Sequence, residues 1–365
     1  MSPEFHDTWL VTGGAGFIGV NFVQAQCRRG GVRIVNLDRL TYAGNPASLA
    51  GQMEDPLHIF VQGDIGDAAL VRDLFAQYRP TAVLNFAAES HVDRSIMGAQ
   101  PFVETNVAGL VTLLQESLRH WRGLRDQARQ SFRFLQVSTD EVYGSLAPED
   151  PPFTERSLYA PSSPYAASKA AGDHFVRAFH KTHGLPVLTT NCSNNYGPYQ
   201  FPEKLIPLII HNALAGEKLP VYGDGMQIRD WIYVADHCEG VRTVLEKGKP
   251  GETYNIGGRC ERTNLEVVGS ICEHLDRLRP QSPHRPHQEL ITFVEDRPGH
   301  DRRYAINDSK VRSDLGWQPV ETFDSGLLKT VAWYLEHQDW IEQVHTGAYR
   351  DWIRLNYGDR LSEAK

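Results

Sequence analysis

Two residues four positions apart, Tyr165 and Lys169, have the types and the spacing for acid–base chemistry on an alcohol. They lie near the start of a predicted helix, where a spacing of four places both side chains on one face. A lysine ammonium stabilises a neighbouring phenolate and lowers the pKa of the phenol, so Tyr165 would take a proton from a hydroxyl group. Such pairs are common by chance on exposed helix faces, so the weight of this one depends on the motifs before it.

Two adjacent acids, Asp140 and Glu141, follow Ser138 and Thr139 at the end of a predicted strand. Neighbouring side chains at a strand end diverge, so the two carboxyl groups need not do the same job. Two carboxyl groups in one closed site raise each other's pKa, and one of them then stays protonated near neutral pH. A protonated acid beside a base is what elimination of water requires. A solvated acidic turn is the commoner meaning of this dipeptide, but its position at a strand end favours a function.

A glycine-rich turn over residues 13–19 links the first predicted strand to the first helix. Gly13 permits a tight turn, Gly16 lets backbone approach a pyrophosphate, and Gly19 lets the helix pack closely on the strand. The N–H groups at the start of that helix then bind the phosphates. Asp38, at the end of the second strand, is placed to bind a ribose 2′-hydroxyl, which favours NAD over NADP despite the adjacent Arg39. The alternative is a turn needed only for packing.

Three cationic residues, Arg229, Arg297 and His300, fall in loop-like segments of the second half of the chain. Arginine suits bidentate contact with phosphate, so a second diphosphate, belonging to a nucleotide sugar, would account for them. From composition alone, three solvated loop charges are the simpler interpretation. Asn194 and Asn195 are equally open, either as contacts in the site or as turn residues.

These residues are positioned by a regular alternation of strands and helices in the first half of the chain. Strands are predicted at residues 8–12, 33–37, 58–61, 82–86, 132–138 and 187–190, and helices at 17–27, 103–118 and 163–183. The alternation is typical of an α/β fold with a doubly wound parallel Rossmann-type sheet, in which ligands bind at the carboxyl ends of the strands. The apolar stripe of the helix at 103–118 fits either an internal core or a subunit interface.

After about residue 195 the pattern loosens into segments rich in proline, glycine, arginine and histidine. We predict an NAD-binding Rossmann domain over residues 1–195, to which segments near 230–258 and 305–345 return. Residues 196–229 and 259–304 are predicted to form a smaller α/β lobe that folds over the sheet edge and binds the sugar nucleotide.

Composition narrows the class of protein. The 365 residues carry a net charge of −8, so there is no basic excess for a nucleic acid partner. No apolar run approaches the ~20 residues that span a membrane, and the first residues do not have the pattern of a secretory signal. The five cysteines are far apart, which favours reduced thiols in a cytoplasmic protein, and no Cys/His pair has the spacing of metal ligands.

The chain resembles the extended short-chain dehydrogenase/reductase group and, within it, the dTDP-glucose 4,6-dehydratase family, nearly end to end. The resemblance is carried by residues 87–95 (AAESHVDRS), 138–144 (STDEVYG), 165–169 (YAASK), 191–200 (NCSNNYGPYQ), 204–207 (KLIP), 229–233 (RDWIY), 296–303 (DRPGHDRR) and 347–357 (GAYRDWIRLNY). The Thr-Asp-Glu string is the discriminating one, because related epimerases usually lack the acid pair there. No expected catalytic position departs from the family pattern.

The resemblance implies dehydration of dTDP-glucose to dTDP-4-keto-6-deoxyglucose with NAD, which is regenerated in each turnover and stays bound. Tyr165, assisted by Lys169 and Thr139, would deprotonate the sugar 4-hydroxyl while NAD accepts a hydride from C4. Glu141 would then remove the C5 proton and Asp140 would protonate the departing C6 hydroxyl, before the hydride returns to C6. The family is typically a homodimer.

The resemblance also implies two sets of binding residues. The cofactor set is Gly13, Gly16, Phe17, Ile18, Gly19, Asp38, Asp64, Ile65, Ala87, Ala88, Ser90, Thr105, Tyr165, Lys169 and Asn195. The substrate set is Ser90, Thr139, Asn194, Lys204, Leu205, Tyr222, Arg229, Asn264, Arg297 and His300. The glycine turn and the Tyr165/Lys169 pair fit an epimerase or a decarboxylase equally well, and a non-catalytic NAD sensor on the same fold is the alternative from another class.

Overall fold

Strands and helices alternate along the chain in this computed structural model, which describes residues 6–296 and 299–344. The strands are β1 (Asp7–Thr12), β2 (Val32–Asp38), β3 (His58–Gln62), β4 (Ala82–Asn85), β5 (Arg133–Thr139), β6 (Val187–Cys192), β7 (Asn194–Tyr196), β8 (Leu219–Tyr222), β9 (Ile228–Tyr233), β10 (Thr253–Ile256), β11 (Glu261–Thr263) and β12 (Ile291–Val294). The helices are α1 (Phe17–Arg29), α2 (Ala68–Tyr78), α3 (Val92–Met97), α4 (Gln100–Val103), α5 (Leu110–Gly123), α6 (Asp126–Ser131), α7 (Pro164–His183), α8 (Leu205–Ala215), α9 (Val234–Lys247), α10 (Asn264–Leu278), α11 (Ser309–Leu315), α12 (Phe323–Glu336) and α13 (Gln338–Val344). None of these described helices is long and apolar enough to cross a bilayer.

A seven-stranded sheet in the order β10-β6-β5-β4-β1-β2-β3 forms the centre of the first half of the molecule. Each neighbouring pair of strands in it is parallel. The predicted Rossmann-type α/β sheet is therefore confirmed. Because the strands all run in the same direction, the polar residues that follow them meet at one edge of the sheet.

Helices cover both faces of this large sheet, and the strands are apolar on both sides. Leu10 packs on the face that carries α2 and α5, whereas Val11 packs on the opposite face against α1 and α9. This alternation follows from the two-residue period of a strand. Burial on both faces is the usual state of a parallel sheet and explains the continuous apolar runs of the sequence.

The helix predicted over residues 103–118 is interrupted by a π-helical turn, Glu104–Gly109, between α4 and α5. Asn106 in this turn is buried. Its side-chain amide donates to the carbonyl of Glu89 and to the hydroxyl of Ser168, each at 2.9 Å, and its amide oxygen accepts from the Glu89 N–H at 2.9 Å. Asn106 thus connects this helix to the segment that follows β4 and to α7.

The apolar stripe of α5 forms part of the core within one chain. Its buried leucines pack with residues of α2 and α7 below the sheet: Leu110, Leu113, Leu114 and Leu118. Of the two interpretations that the sequence leaves open for this stripe, the internal core is the one the structure has.

The second half of the chain builds a smaller lobe on a three-stranded sheet, β11-β9-β7, and a two-stranded sheet, β12-β8. α8, α10 and α12 enclose its core, in which Ile209, Val268 and Leu327 are fully buried. α11 packs on α9 and β10, whereas α12 packs on the lobe. The segment 305–345, which the sequence assigns to the first domain as a whole, therefore divides between the two halves.

Candidate active site

A cavity of about 300 Å³ lies where the carboxyl ends of the parallel strands meet. The predicted catalytic residues all line it, namely Thr139, Asp140, Glu141, Tyr165 and Lys169. The predicted cofactor residues line it as well, namely Gly13, Gly16, Phe17, Ile18, Gly19, Asp38, Asp64, Ile65, Ala87, Ala88, Ser90, Thr105, Tyr165, Lys169 and Asn195. Nowhere in residues 6–296 and 299–344 do three or more His, Cys, Asp or Glu side chains form a group that could hold a metal ion.

The glycine turn after β1 forms one wall of the cavity, where its backbone is not covered by side chains. Gly13 has φ of +72°, and a Cβ on it would lie 2.5 Å from the backbone nitrogen of Ala87. A Cβ on Gly19 would lie 2.1 Å from the carbonyl oxygen of Gly13, so α1 packs directly on the turn. α1 begins at Phe17, immediately after the turn, and its first N–H groups have no partner within the helix. This arrangement fits the pyrophosphate of a dinucleotide.

Asp38, at the end of β2, is held by backbone groups of the same wall. Its two carboxylate oxygens accept the N–H groups of Ala15 and Leu40, each at 2.8 Å. Arg39, which leaves NADP open on sequence grounds, pairs with Asp64 at 3.2 Å. A fixed carboxylate beside an arginine that already has a partner fits a ribose with a free 2′-hydroxyl and disfavours a 2′-phosphate.

The acid pair begins a short 3₁₀ turn, Asp140–Tyr143, directly after β5. Thr139 caps this turn: its hydroxyl accepts the Glu141 N–H and donates to Asp140 Oδ1, both at 3.3 Å. Asp140 is only 2% exposed, and its Oδ2 has no hydrogen-bond partner among the described residues. Burial, followed by the charges of Glu141 and Asp230, raises the pKa of Asp140 well above its ordinary value. Asp140 is thus suited to hold a proton, and the half-buried Glu141 to act as a base.

Tyr165 and Lys169 project from the first turns of α7. Ser163 caps this helix by accepting the Ala166 N–H at 3.1 Å, and Pro164 occupies its first position, which fixes where the helix starts. Lys169 Nζ donates to the carbonyl of Val137 on β5 at 2.8 Å. Both side chains are buried on the cavity wall, so the pair is not the exposed helix face that chance alone would give.

The pKa of Tyr165 differs from the sequence expectation. Burial, with the charge of Glu141 as the second cause, raises this pKa well above its ordinary value, and a hydrogen bond with Thr139 opposes the shift. The net shift of this pKa is therefore upward in the protein alone, whereas the sequence predicts a lowered pKa. The physical reason is that the phenol is fully desolvated and that a carboxylate lies nearby.

The predicted substrate residues fall into two groups. Four of them line the cavity, namely Ser90, Thr139, Asn194 and Lys204. Five others lie in the smaller lobe and do not line it, namely Leu205, Tyr222, Arg229, Asn264 and His300. Arg297 lies outside the described residues.

Two of the predicted cations, Arg229 and His300, make defined contacts in the lobe. Arg229 is 5% exposed, stacks 4.3 Å from the ring centre of Tyr304 and donates to the carbonyls of Ile228 and Asp301 at 2.8 and 3.0 Å. His300 Nδ1 lies 2.6 Å from a carboxylate oxygen of Asp296, and its ring meets that of Tyr222 edge to face. Neither residue is a solvated loop charge.

Other cavity residues are absent from the predicted sets. Cys192 pairs with Thr139 across β5 and β6, so the rule that ligands bind at strand ends identifies this position in retrospect. Phe201 and Glu203 reach the cavity from the segment before α8, where no periodic pattern in the sequence marks them.

Comparisons with known proteins agree on one group of enzymes. The family described as GDP-mannose 4,6 dehydratase matches residues 10–330. A dTDP-glucose 4,6-dehydratase of Xanthomonas campestris pv. campestris is 62% identical over 343 residues, which are 94% of this chain and 97% of that protein. The structure of the dTDP-glucose 4,6-dehydratase from Bacillus anthracis in complex with NAD has a TM-score of 0.82 and 44% identity, covering 93% and 100% of the two chains. The structure of the NAD-bound dTDP-glucose 4,6-dehydratase from Streptomyces venezuelae has a TM-score of 0.83 and 46% identity, covering 92% of this chain and 99% of that one.

Proposed function

The chain belongs to the dTDP-glucose 4,6-dehydratase family, and from that membership we propose that it converts dTDP-glucose to dTDP-4-keto-6-deoxyglucose by removing one water. The observation that carries the proposal is one cavity that joins three features: the glycine turn, the Tyr165/Lys169 pair and the acid pair Asp140/Glu141. The first two features serve any NAD-dependent change at a sugar hydroxyl. The acid pair adds what an elimination needs.

Tyr165 accepts the proton of the sugar 4-hydroxyl in the proposed reaction. Thr139 lies close enough to the phenol to act against the rise of its pKa. NAD, when bound against the glycine turn and Asp38, supplies the redox chemistry, taking a hydride from the sugar and giving it back. Tyr165 can accept the hydroxyl proton only as the phenolate, a form that burial disfavours and that the positive charge of Lys169 favours.

Asp140 and Glu141 divide the elimination between them. A ketone at C4 acidifies the proton on C5, and the partly exposed carboxylate of Glu141 removes that proton. Asp140, whose raised pKa keeps it protonated, gives its proton to the departing C6 hydroxyl. The cofactor is regenerated in each turnover and need not be exchanged, so we propose that the protein keeps NAD bound.

The test is mass spectrometry of dTDP-glucose after incubation with purified protein and no added NAD. We expect the sugar nucleotide to lose the mass of one water, and we expect the Tyr165→Phe variant to leave it unchanged. An unchanged mass with the wild-type protein, persisting after NAD is supplied, would refute the dTDP-glucose assignment. Loss of carbon dioxide from a related substrate, or inversion without a change in mass, would indicate a decarboxylase or an epimerase instead.

The smaller lobe is the proposed site of the nucleotide part of the substrate. Lys204 Nζ donates to the carbonyl of Ser90 at 3.1 Å, so the lobe already meets the NAD-binding half at the cavity. Arg229 lies close enough to Asp140 to lower the pKa of that acid. We propose that the lobe residues of the substrate set bind the diphosphate and the base, and that residues 1–195 bind NAD.

A homodimer is the proposed assembly, because exposed apolar side chains gather on helices that pack together. Ile96 and Met97 on α3, Val103 on α4 and Phe175 on α7 are 41–60% exposed, and both short helices pack on α7. We expect light scattering to report a dimer, and Phe175→Glu to give a folded monomer. Leu158→Glu, which changes a loop side chain that is 87% exposed, is the control and should remain dimeric.

The cytoplasm is the proposed location. All five cysteines are free thiols, and Cys192, Cys238 and Cys272 are buried. Free thiols in this number fit a reducing compartment.

A further inference from the structure

Asp173 is a buried carboxylate directly behind the Tyr165/Lys169 pair, and the proposed reaction gives it no role. It lies on α7, four residues after Lys169 and eight after Tyr165, so the three side chains share one face of the helix. Asp173 is 5% exposed and does not line the cavity. Burial of an isolated charge is costly, so a buried carboxylate is normally hydrogen-bonded or paired with a positive charge.

Asp173 is oriented by two hydroxyl groups on one of its oxygens. Oδ2 accepts the hydroxyl of Ser138 at 2.6 Å and that of Tyr159 at 3.2 Å. Tyr159 is itself held by the side-chain amide of Asn191 on β6, at 3.2 Å. Oδ1 is buried and has no hydrogen-bond partner among the described residues. The carboxylate is therefore fixed in place by hydrogen bonds to one of its two oxygens only.

Two successive residues of β5 are tied to the same face of α7. The carbonyl of Val137 accepts a hydrogen bond from Lys169 Nζ at 2.8 Å, and the hydroxyl of Ser138 donates to Asp173 Oδ2 at 2.6 Å. The next residue along the strand is Thr139. These two contacts set the end of β5 against the helix that carries Tyr165.

The charge of Asp173 also acts on Lys169. Burial lowers the pKa of Lys169, and the charges that oppose this come first from Asp173 and then from Cys192 on β6. Burial raises the pKa of Asp173 to about 6, against the charge of Lys169 and the hydroxyls of Ser138 and Tyr159. Asp173 is thus mainly ionised at neutral pH, where its negative charge favours the ammonium form of Lys169.

We infer that Asp173 is a positioning residue: its carboxylate keeps Lys169 in the ammonium form and aligned with Tyr165. Ser138 and Tyr159 orient the carboxylate for this purpose. The inference rests on the proposed function only through the roles given there to Tyr165 and Lys169.

The first test measures the pKa of Lys169 without any substrate. Competitive trace labelling with acetic anhydride, read by peptide mass spectrometry, is applied to the wild-type protein, Asp173→Asn and Asp236→Asn. Asp236 is a matched control, since it is 7% exposed, accepts the Glu321 N–H at 2.8 Å and lies away from the cavity. We expect the pKa of Lys169 to fall by about one unit in Asp173→Asn and to stay unchanged in the control. Equal values in all three proteins would overturn the inference.

The second test separates positioning from stability. In Asp173→Asn we expect kcat for the dehydration to fall by roughly tenfold to a hundredfold with KM within about twofold, and the alkaline limb of the pH profile to move to lower pH. Asp173→Glu, which restores the charge, should restore the position of that limb. The folded pKa of Asp173 lies above its unfolded value of 3.8, so ionised Asp173 lowers stability above pH 6. Asp173→Asn should therefore keep its Tm at pH 8, and a joint loss of Tm and kcat with an unmoved pH profile would show a merely structural role.

A second variant keeps the inference testable if Asp173→Asn does not fold. Ser138→Ala removes the 2.6 Å hydrogen bond and retains both charges, so the pKa of Asp173 should rise and the acid limb of the pH profile should move to higher pH. An unmoved acid limb would contradict the inference. If the wild-type protein fails to dehydrate dTDP-glucose while the pKa of Lys169 still shifts in Asp173→Asn, the proposed function fails and the inference stands.

Discussion

The proton on Asp140 decides whether the elimination half of the proposed reaction can run. Burial is the first cause of its raised pKa, the charges of Glu141 and Asp230 are the next, and Arg229 and Thr139 oppose them. A group that must be protonated loses activity as the pH rises through its pKa. Asp230 is 1% exposed, and burial raises its own pKa to about 7, so it adds its negative charge mainly above neutral pH.

We therefore predict that Asp230→Asn lowers the pKa of Asp140 and moves the alkaline limb of the kcat profile to lower pH. The amide oxygen retains an acceptor for the Cys260 N–H, which Asp230 now binds at 2.7 Å, so the variant changes charge with little change in shape. The measurement is the pH dependence of dTDP-glucose dehydration, with Asp236→Asn as the control for removing a buried carboxylate elsewhere. A limb that stays in place, or moves to higher pH, would show that Asp230 does not act on Asp140.

At the scale of one element, the turn after β1 can be tested with two glycines that have the same φ but differ in the space available for a Cβ atom. Gly13 and Gly30 both have φ of +72°, a backbone conformation that strains an alanine at either position. A Cβ at Gly30 meets nothing within 4 Å, whereas one at Gly13 overlaps the backbone of Phe86 and Ala87. We predict that Gly13→Ala is purified with little NAD and that Gly30→Ala retains it, measured as NAD released per chain on denaturation. Equal NAD contents would mean that the turn does not bind the cofactor.

The same scale shows how far the sequence determines the fold. Six of the seven strands of the large sheet are predicted to within two residues, because burial on both faces gives apolar runs that end at polar residues, and β10 is not among the predicted strands. The π-helical turn at Glu104–Gly109 is not predicted, since such turns are rare interruptions of α-helices and the apolar residues over 103–118 suggest one continuous helix. The contact that explains this turn, from Asn106 to Ser168, joins residues 62 positions apart.

At the scale of the whole molecule, the site is predicted best where one domain builds it. The predicted NAD residues all line the cavity, and apart from Thr105, which lies in the π-helical turn, they lie at or after the ends of strands or in the first turns of helices. The lobe is different, because Arg229 lies under Tyr304 where Ile228 of β9 pairs with the distant Arg303. No local sequence pattern encodes such long-range contacts. The family resemblance therefore predicts which lobe residues bind the substrate, but it does not predict where they lie relative to the cavity.

The two halves of the molecule meet at a buried charge cluster on the cavity wall. Glu203, from the segment before α8, is 4% exposed, and its Oε2 accepts Nε and Nη2 of Arg94 at 3.3 and 3.2 Å. His91 Nε2 lies 3.8 Å from Oε1 of the same carboxylate. Arg94 also stacks 3.8 Å from the ring centre of Tyr42, which meets Phe201 edge to face. The cluster thus joins the loop after β2 and helix α3 to the segment before α8, and Glu203 and Phe201 of this cluster line the cavity proposed for NAD.

We predict that Glu203→Gln weakens this junction and loosens the hold on NAD. The buried cluster loses its negative charge while Arg94 remains, so the free energy of unfolding should fall by about 1–3 kcal/mol. Glu239→Gln is the matched control, because Glu239 likewise pairs with two basic residues, Arg29 and Arg242, but has a side chain that is 43% exposed, and its loss should cost less than about 1 kcal/mol. The measurements are denaturant unfolding and the NAD content after prolonged dialysis, which should decline in Glu203→Gln only. If the two variants are equally stable and keep NAD equally well, the halves are held together by apolar packing, and the charge cluster has no part in retaining the cofactor.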